Sequence, residues 1–395
     1  MQTVSRTELA LLTLASAVVT ANAYYIHPII ARVAEDFGVS AAAAGMVPAL
    51  NQLALALGIF LLLPLGDRFS NRKLIVIFVI GQCVGITGMA FAPSFNLFIA
   101  SSTLLGFFTI APYLLPAYVS RRASPQQLGQ VTATLTTGIV MGILLARAGA
   151  GVIGEHLGWR TVYYLAAAMM VSMVFILPAV MVENEQTPSD EETFSYIRLL
   201  GSLRGIINNN TEILFSGVIQ GSSFGIFLAT WLGLGLHLTS PAMGYGVDVV
   251  GYLALIAIAN LFVTPRVGKL ADTVGARRAR FWLALIQSAA ALLLLLFGHS
   301  LWLLILPLML MNLVGPSIDV TSRMLFLSKA PELRTRLTTV YIILMFVGGG
   351  LGSWLGTAAY EWGGWNATAI LVIGFSGVIV LLSYLTLQRY EPPLK

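Results

Sequence analysis

The sequence predicts an all-α polytopic membrane protein whose twelve transmembrane helices form two pseudo-symmetric bundles of six. Three observations support this prediction: low charge, recurring long apolar segments, and sequence similarity between the two halves at a fixed offset. Of the 395 residues, 57% are hydrophobic and only 10% are charged, whereas a soluble domain carries about 25% charged residues. The mean hydropathy is +0.85. Most of the chain is therefore expected to lie in a lipid bilayer.

Apolar segments recur along the chain, and each is long enough to cross a hydrocarbon core of roughly 30 Å as a helix. The first segment ends near Ala21-Asn22-Ala23 and resembles a signal peptide with its cleavage site. We interpret it as a spanning helix, because apolar character resumes at once through Ile30. The predicted spans are 9–31, 43–64, 74–92, 96–119, 128–152, 160–182, 211–236, 245–264, 280–297, 301–326, 337–358 and 366–388.

A polar segment at 183–210 divides the spans into six and six. We therefore predict an N-terminal bundle over 1–182, a cytoplasmic linker over 183–210, and a C-terminal bundle over 211–395. If the N-terminus is cytoplasmic, 18 of the 22 basic residues fall in cytoplasmic segments. Positive charge in short loops stays inside, so both termini are expected in the cytoplasm of a protein of the cell inner membrane. The net charge of +5 then reflects topology, and no nucleic acid partner is expected. We expect a monomer.

The two halves resemble each other at a nearly constant separation. LGDRFSNRK (65–73) matches LADTVGARR (270–278) at an offset of 205, and GEHLGWR (154–160) matches YEWGGWN (360–366) at 206. Many secondary transporters arise by internal duplication and bind their substrate between the repeats. The repeat therefore predicts a transporter with a small-molecule substrate.

Several of these segments resemble motifs of the major facilitator superfamily, over essentially the whole chain. VGKLADTVGARR is similar to the family's G-x-L-x-D-R-x-G-R-R/K loop, and LPLGDRFSNRK is a second copy. ANAYYIHPII resembles the N-x-Y-Y-x-Q-P opening of a bacterial efflux-permease subgroup, with His27 in place of glutamine. The fifth span resembles the antiporter signature G-x-x-x-G-P-x-x-G-G, with Arg147 in place of proline.

The resemblance implies a cytoplasmic gate. It suggests that Asp67 meets the start of helix 11, and symmetry suggests that Asp272 meets the start of helix 5, where a helix N-terminus stabilises negative charge. Basic neighbours would brace these contacts, although they also serve as topology signals: Arg68, Arg72, Arg277 and Arg278.

Small residues recur at every fourth position of helices 5 and 11. The stripe includes Gly138 and Gly154, and its repeated members are Gly142, Ala146, Ala150, Gly348, Gly352 and Gly356. Small faces allow helices to approach closely in lipid. The stripe predicts close helix packing, either as a static contact or as a surface on which the halves slide.

Arg147 is an intramembrane charge whose counterpart in the second half is Ser353. Placing arginine near the bilayer centre costs at least ~3 kcal/mol. Such a residue faces either a polar structural partner or a water-filled cavity. We favour the cavity, in which Arg147 would bind an anionic or electron-rich group of the substrate.

Two further groups are candidates for proton transfer. Asp319 and Arg323 are four residues apart on one predicted helix, so they share a face and can pair. This pair is either a local salt bridge or a proton-sensitive inner gate in which Asp319 carries the proton. His27 follows Tyr25 in helix 1, and histidine titrates near neutral pH. It is either an interfacial ring or a cavity residue that binds substrate or the proton.

Other polar side chains inside predicted spans need hydrogen-bond partners in a dry medium. Some will join helices, and the rest are candidates for substrate binding alongside Arg147, His27 and Tyr25: Asn22, Gln52, Tyr113, Gln220, Asn312 and Tyr341.

The leading hypothesis is a proton-coupled exporter of a small amphipathic organic molecule that works by alternating access. An uptake permease for a small organic anion that pairs with Arg147 is the alternative. A membrane enzyme or a sensor is a third class, but no nucleophile cluster and no P-loop is found in the sequence. A single cysteine, Cys83, and four scattered histidines predict no metal site, and no cofactor is expected.

Overall fold

The structure is a computed structural model that describes residues 5–67, 69–120, 122–182, 210–327 and 331–391. Regular secondary structure within these ranges is entirely helical. The helices are α1 (Arg6–Ala21), α2 (Ile26–Phe37), α3 (Ala41–Leu62), α4 (Asn71–Ala90), α5 (Phe95–Phe108), α6 (Ala111–Ser120), α7 (Pro125–His156), α8 (Trp159–Val180), α9 (Glu212–Leu238), α10 (Val247–Leu253), α11 (Asn260–Val274), α12 (Ala276–Leu296), α13 (Leu301–Leu327) and α14 (Pro331–Tyr390). Short 3₁₀ helices follow α3 (Leu63–Asp67) and α10 (Ala254–Ala259).

Eleven helical segments among the described residues are long and apolar enough to cross a membrane. The last, Arg336–Tyr390, has 55 residues and would be about 80 Å long if it were one straight helix. It is interrupted at Gly363 and Gly364, whose backbone angles are not helical. Gly364 has φ 63° and ψ −155°, a combination open essentially to glycine alone. Counted on either side of this break, the segments are the twelve predicted spans, and the all-helical polytopic fold is confirmed.

Several predicted spans are broken or extended. Span 1 consists of α1 and α2 joined by a turn, and span 4 consists of α5 and α6. In each case the second helix has a proline in its first turn, Pro28 or Pro112, where the missing N–H is tolerated. The helix Asn260–Val274 begins inside the eighth predicted span and extends beyond its predicted end, so Asp272 lies on a helix and the predicted loop is wrong at that position.

The chain forms two compact units. Unit 1 contains the described residues within Met1–Val39, Met46–Asp190 and Gly246–Ala254, and unit 2 those within Ser40–Gly45, Glu191–Tyr245 and Leu255–Lys395. Each unit thus combines most of one sequence repeat with a short segment of the other. The predicted linker lies almost wholly outside the described residues, and its boundaries stay a prediction.

The small-residue stripes pack inside the units. A Cβ atom on Gly142 would lie 2.3 Å from the carbonyl oxygen of Ala17 on α1, and one on Gly352 would lie 2.3 Å from the Cα atom of Gly225 on α9. Only glycine permits such close backbone approach. These two glycines therefore allow close helix packing within their units, and the alternative of a sliding surface stays a prediction. The stripe residues Gly348, Gly356, Ala146 and Ala150 lie on the same two helices, α14 and α7.

Candidate functional site

Arg147 lies in the middle of α7 in unit 1 and is almost completely buried. Its exposed fraction is 2%, which excludes a side chain that points into lipid. The guanidinium interacts electrostatically with Tyr24 and with His27. Tyr24 belongs to the turn between α1 and α2, and His27 lies in the first turn of α2. The break in the first predicted span therefore brings two ring systems to the arginine. We call Arg147, Tyr24 and His27 the Arg147 cluster.

His27 is fully buried, with 0% exposure. Its ring meets the ring of Tyr24 edge to face, with 5.3 Å between the centroids and an angle of 70°. The interfacial interpretation, with the polar end of the ring in water, is therefore wrong. A neutral imidazole has one ring nitrogen that can accept a hydrogen bond.

Two buried amides lie in the same unit. Asn22 lies in the turn after α1, and Gln52 lies on α3. Neither side-chain amide forms a hydrogen bond with any described residue. A buried amide without a hydrogen bond destabilises the folded protein by about 1–3 kcal/mol. Such amides in a native protein therefore call for an explanation, such as a functional role. Tyr25 is also buried in this unit, whereas Tyr113 on α6 is partly exposed.

Sequence patterns alone missed two other buried amides in unit 1, and both join helices. The Gln82 Nε2 atom donates to the Val19 carbonyl at 3.0 Å and to the Thr109 hydroxyl at 2.8 Å. The Asn51 Nδ2 atom donates to the Ser102 carbonyl at 2.7 Å. These bonds satisfy polar groups between helices, as is usual in membrane bundles.

Asp319 forms a hydrogen-bonded triad with Arg323 and Tyr341 in unit 2. The Arg323 Nε atom donates to both carboxylate oxygens of Asp319, at 2.9 and 3.0 Å. The Tyr341 hydroxyl donates to Asp319 Oδ1 at 2.7 Å. The Arg323 guanidinium also lies over the Tyr341 ring, 5.0 Å from its centroid. We call these residues the Asp319 triad.

The other candidates in unit 2 differ in their partners. The Asn312 Nδ2 atom donates to the Leu308 carbonyl on its own helix at 2.7 Å. This hydrogen bond lies within α13 and joins no other helix. Gln220 is buried on α9, and its Oε1 atom accepts no hydrogen bond from the described residues.

The predicted gate residues are only partly described. Asp67 ends the 3₁₀ helix after α3, but its side chain and all of Arg68 lie outside the described residues. Arg72 donates to the Pro178 carbonyl at 2.8 Å. Two arginines at the start of α12 pair within unit 2: Arg277 with Glu212 at 2.6 Å, and Arg278 with Glu391 at 3.3 Å.

These arginine contacts each join two elements of one unit. Asp272 is exposed on α11. The proposed contacts of Asp67 and Asp272 with distant helix N-termini stay predictions.

Arg280 is a buried arginine at the start of the ninth predicted span. It lies one turn inside α12 and has 0% exposure. It donates to the Ser216 hydroxyl at 2.9 Å and to the Thr386 hydroxyl at 2.7 Å. Neutral hydroxyl groups from two other helices thus replace water around this cation.

The family model described as Major Facilitator Superfamily matches residues 12–349 and 214–395 of the chain. Among curated proteins, the chain is 28% identical to an uncharacterized transporter, YgaY, of Escherichia coli O157:H7, over 97% of this chain and 96% of the relative. It is 26% identical to a probable transporter, SCO4007, of Streptomyces coelicolor, over 95% of this chain and 88% of the relative. It is 24% identical to the multidrug resistance protein MdtG of Salmonella arizonae, over 82% of this chain and 80% of the relative.

Solved structures share the fold at low sequence identity. A bacterial homolog to the human lysosomal transporter Spinster, in an inward-facing and occupied conformation, aligns with a TM-score of 0.78 at 14% identity, over 97% of this chain and 96% of that chain. The nucleoside transporter NupG aligns with a TM-score of 0.73 at 13% identity, over 97% of this chain and all of that chain (100%).

Proposed function

Because this chain belongs to the Major Facilitator Superfamily, we propose that it exports a small amphipathic organic molecule in exchange for protons, by alternating access. Members of this superfamily are membrane transporters of small molecules, and this chain is accordingly a multi-pass transport protein and not an enzyme. The proposal places it in the cell inner membrane as a monomer with both termini in the cytoplasm, in line with the distribution of its basic residues.

The Arg147 cluster is the observation that carries the proposed substrate site. It combines a buried cation with two aromatic rings, Tyr24 and His27. An intramembrane cation is costly unless it has a function or a polar partner. Aromatic faces bind the apolar part of an amphipathic ligand, while the guanidinium binds an anionic or electron-rich group. The buried amides of Asn22 and Gln52 supply further hydrogen-bonding groups in the same unit.

Additional polar side chains could widen substrate recognition. Tyr25 and Tyr113 in unit 1 would contribute hydroxyl groups, and Gln220, Asn312 and Tyr341 would contribute from unit 2. These candidates are neutral and Arg147 supplies the charge of the proposed site, which favours a substrate with at most one charged group.

The Asp319 triad is the proposed proton-coupling element. Protonation of Asp319 would neutralise the carboxylate that accepts from Arg323 and Tyr341. Both partners would then lose a charge-assisted hydrogen bond and be free to rearrange. His27 is the second proton-coupling candidate in this proposal, because histidine is the side chain that titrates near neutral pH.

Export is favoured over uptake by two resemblances. MdtG, a relative at 24% identity, is named a multidrug resistance protein. The ANAYYIHPII segment also resembles the opening of an efflux-permease subgroup.

The proposed inner gate consists of Asp67, Asp272 and their basic neighbours Arg68, Arg72, Arg277 and Arg278, with Arg323 in the Asp319 triad.

Arg147 also favours a second candidate, an uptake permease for a small organic anion. Everted membrane vesicles with an acidified interior distinguish the two functions. A compound that is exported by proton antiport will dissipate this gradient when it is added outside, whereas a substrate of proton symport will leave the gradient standing. Test compounds are those that raise the thermal stability of the purified protein, because a specific ligand stabilises the folded state by mass action.

The decisive variant is Arg147→Ala. We expect at least a tenfold loss of transport, equivalent to about 1.4 kcal/mol, and loss of the ligand-induced stabilisation. Arg147→Lys keeps the charge without the planar guanidinium and is the matched control, expected to retain part of both. Wild-type transport by a folded Arg147→Ala variant would reject this substrate site.

A further inference from the structure

Arg280 is a fully buried cation whose hydrogen-bond partners carry no charge. Its exposed fraction is 0%, and its guanidinium donates to the hydroxyl groups of Ser216 on α9 and Thr386 on α14. A third hydroxyl, that of Ser322 on α13, lies 3.5 Å from the Arg280 Nη1 atom. Hydroxyl groups solvate a cation but do not neutralise it, and burial of an unpaired charge strongly destabilises a folded protein. Arg280 therefore needs a counter-charge.

The neighbouring carboxylates are bound to other arginines. Glu212 interacts electrostatically with Arg280, but its two carboxylate oxygens accept from Arg277 Nε at 2.6 Å and from Arg277 Nη2 at 2.9 Å. Glu391 lies 3.3 Å from Arg278. Two carboxylates thus balance two of these three arginines, and one positive charge remains in excess. The arginine left without a carboxylate in this group is the one that is completely buried.

Hydrogen-bond donors near Arg280 are available for a small anion. The Arg280 Nε atom and the Ser383 hydroxyl are buried and form no hydrogen bond with any described residue. Ser383 lies about one turn before Thr386 on α14, and its carbonyl accepts from the Thr386 hydroxyl. The Ser216 hydroxyl accepts from Arg280 and keeps its own proton to donate. Such N–H and O–H donors beside a cation form strong hydrogen bonds with an anion.

A cleft beside the start of α9 reaches Ser216. Its empty volume is about 220 Å³, and its lining includes Glu212 and Ser216 on α9, Phe326 on α13 and Leu337 on α14. Ser216 is also the residue that contacts Arg280, and all of these residues belong to unit 2. A small ion can approach the buried cation by this route, whereas the apolar walls disfavour a multiply charged ligand.

We propose that Arg280 and the hydroxyl groups around it bind a small monovalent anion, for which chloride is the probe. The anion accepts from Arg280 Nε and from the hydroxyl groups of Ser216 and Ser383, and it supplies the single negative charge that this group lacks. A doubly charged anion such as phosphate would leave one negative charge unbalanced in a buried position. This anion site lies outside the Arg147 cluster and does not depend on the proposed export function.

Ser322 connects the anion site to the Asp319 triad. Its hydroxyl lies 3.5 Å from Arg280 and forms a hydrogen bond with Tyr341, which donates to Asp319 at 2.7 Å. The anion is therefore expected to stabilise the packing of α12 with α13 and α14, the two helices that carry the triad.

The test measures binding of radiolabelled chloride to the purified full-length protein in detergent, by equilibrium dialysis after exchange into sodium gluconate. We expect saturable binding of one chloride per protein, displaced by bromide and not by gluconate. Chloride should also raise the thermal unfolding temperature at constant ionic strength, because a ligand of the folded state stabilises it by mass action. Equal unfolding temperatures in sodium chloride and sodium gluconate would overturn the proposal.

Arg280→Met removes the charge and keeps a side chain of similar length. We expect it to lose both chloride binding and the chloride-dependent rise in unfolding temperature. Arg266→Met is the matched control, because Arg266 is exposed and donates to the Phe262 carbonyl on its own helix. It should bind chloride as the parent protein does. Chloride binding of parental affinity by a folded Arg280→Met variant would reject the site.

Ser216→Ala and Ser383→Ala keep the test decisive if Arg280→Met does not fold. Each removes one proposed donor and leaves the arginine in place, so we expect chloride affinity to fall several-fold. The Ser383 hydroxyl has no partner among the described residues, so Ser383→Ala should unfold at the parental temperature in gluconate. Parental chloride affinity in both serine variants would contradict the proposed coordination. Displacement of chloride by phosphate more effectively than by bromide would refute the assignment to a monovalent anion.

Discussion

The Tyr341 hydroxyl donates a 2.7 Å hydrogen bond to Asp319 Oδ1, and this contact joins α14 to α13 within unit 2. The same carboxylate accepts from Arg323, one turn along its own helix. Two donor groups therefore converge on one carboxylate that is well inside a predicted span. The pairing of Asp319 with Arg323 could be foreseen from their spacing, whereas the tyrosine could not.

Asp319→Asn should uncouple transport from the proton gradient. The amide has nearly the shape of the carboxylate but does not take up a proton, so we expect proton-driven accumulation of substrate to fall at least tenfold, or about 1.4 kcal/mol. Counterflow of substrate without a gradient should persist. The measurement is transport in proteoliposomes with and without an imposed pH difference. Tyr341→Phe is the matched control, since it removes one bond and leaves the titratable group. Unchanged dependence on the gradient in Asp319→Asn would reject Asp319 as the proton carrier.

Arg280→Ala should destabilise the protein. It removes the donor shared by the Ser216 and Thr386 hydroxyls and leaves a cavity between three helices. Loss of buried hydrogen bonds costs about 1–3 kcal/mol, so we expect a clear fall in the thermal unfolding temperature in detergent. Arg280→Met fills the same space without charge, and it should be the milder change because an apolar replacement of a buried ion is often tolerated. Equal stability of wild type and Arg280→Ala would contradict a structural role.

Gly352→Leu should disrupt the contact of α14 with α9. A Cβ atom at this position would lie 2.3 Å from the Cα atom of Gly225, so the helices must separate. Overpacking costs about 1–3 kcal/mol, and a lower unfolding temperature is expected. Gly374→Leu, at a position where a Cβ atom meets nothing within 4 Å, is the control and should leave stability nearly unchanged. Equal unfolding temperatures for Gly352→Leu and Gly374→Leu would show that the contact between α14 and α9 is not tight.

Asp67→Asn should slow the conformational cycle more than it weakens substrate binding. The proposed gate uses the negative charge of Asp67 at a helix N-terminus, and the amide removes that charge. We expect the maximal transport rate to fall several-fold while the substrate concentration at half-maximal rate changes little. Initial rates over a range of substrate concentrations provide the measurement. A weakened affinity with an unchanged maximal rate would count against the gate. Asp272→Asn tests the repeated position in the same way.

Much of the architecture follows from local sequence properties. Hydropathy predicted twelve crossings because each segment enters lipid according to its own length, apolar composition and internal backbone hydrogen bonds. The repeat offsets predicted two related halves. Arg147 was recognisable as a candidate site residue because an arginine within an apolar span is rare for energetic reasons.

Partners in space could not be predicted in the same way. Sequence did not indicate that the first span breaks at the turn before α2, which brings Tyr24 and His27 to Arg147. It also gave no indication that Arg280 is enclosed, because its hydroxyl partners come from positions 64 and 106 residues away. Nothing in the local pattern distinguishes an arginine at a helix end in water from one enclosed by hydroxyl groups.

The sequence by itself determined how many helices cross the membrane, that they form two repeats, and which residues carry charge within them. Tertiary structure alone decided which of those charges are enclosed, with which partners, and that the short segments Ser40–Gly45 and Gly246–Ala254 pack with the opposite repeat. The physical reason is that insertion in lipid is a sum over local segments. Burial and pairing of a polar group depend on helices that are distant in sequence and meet it only in the folded protein.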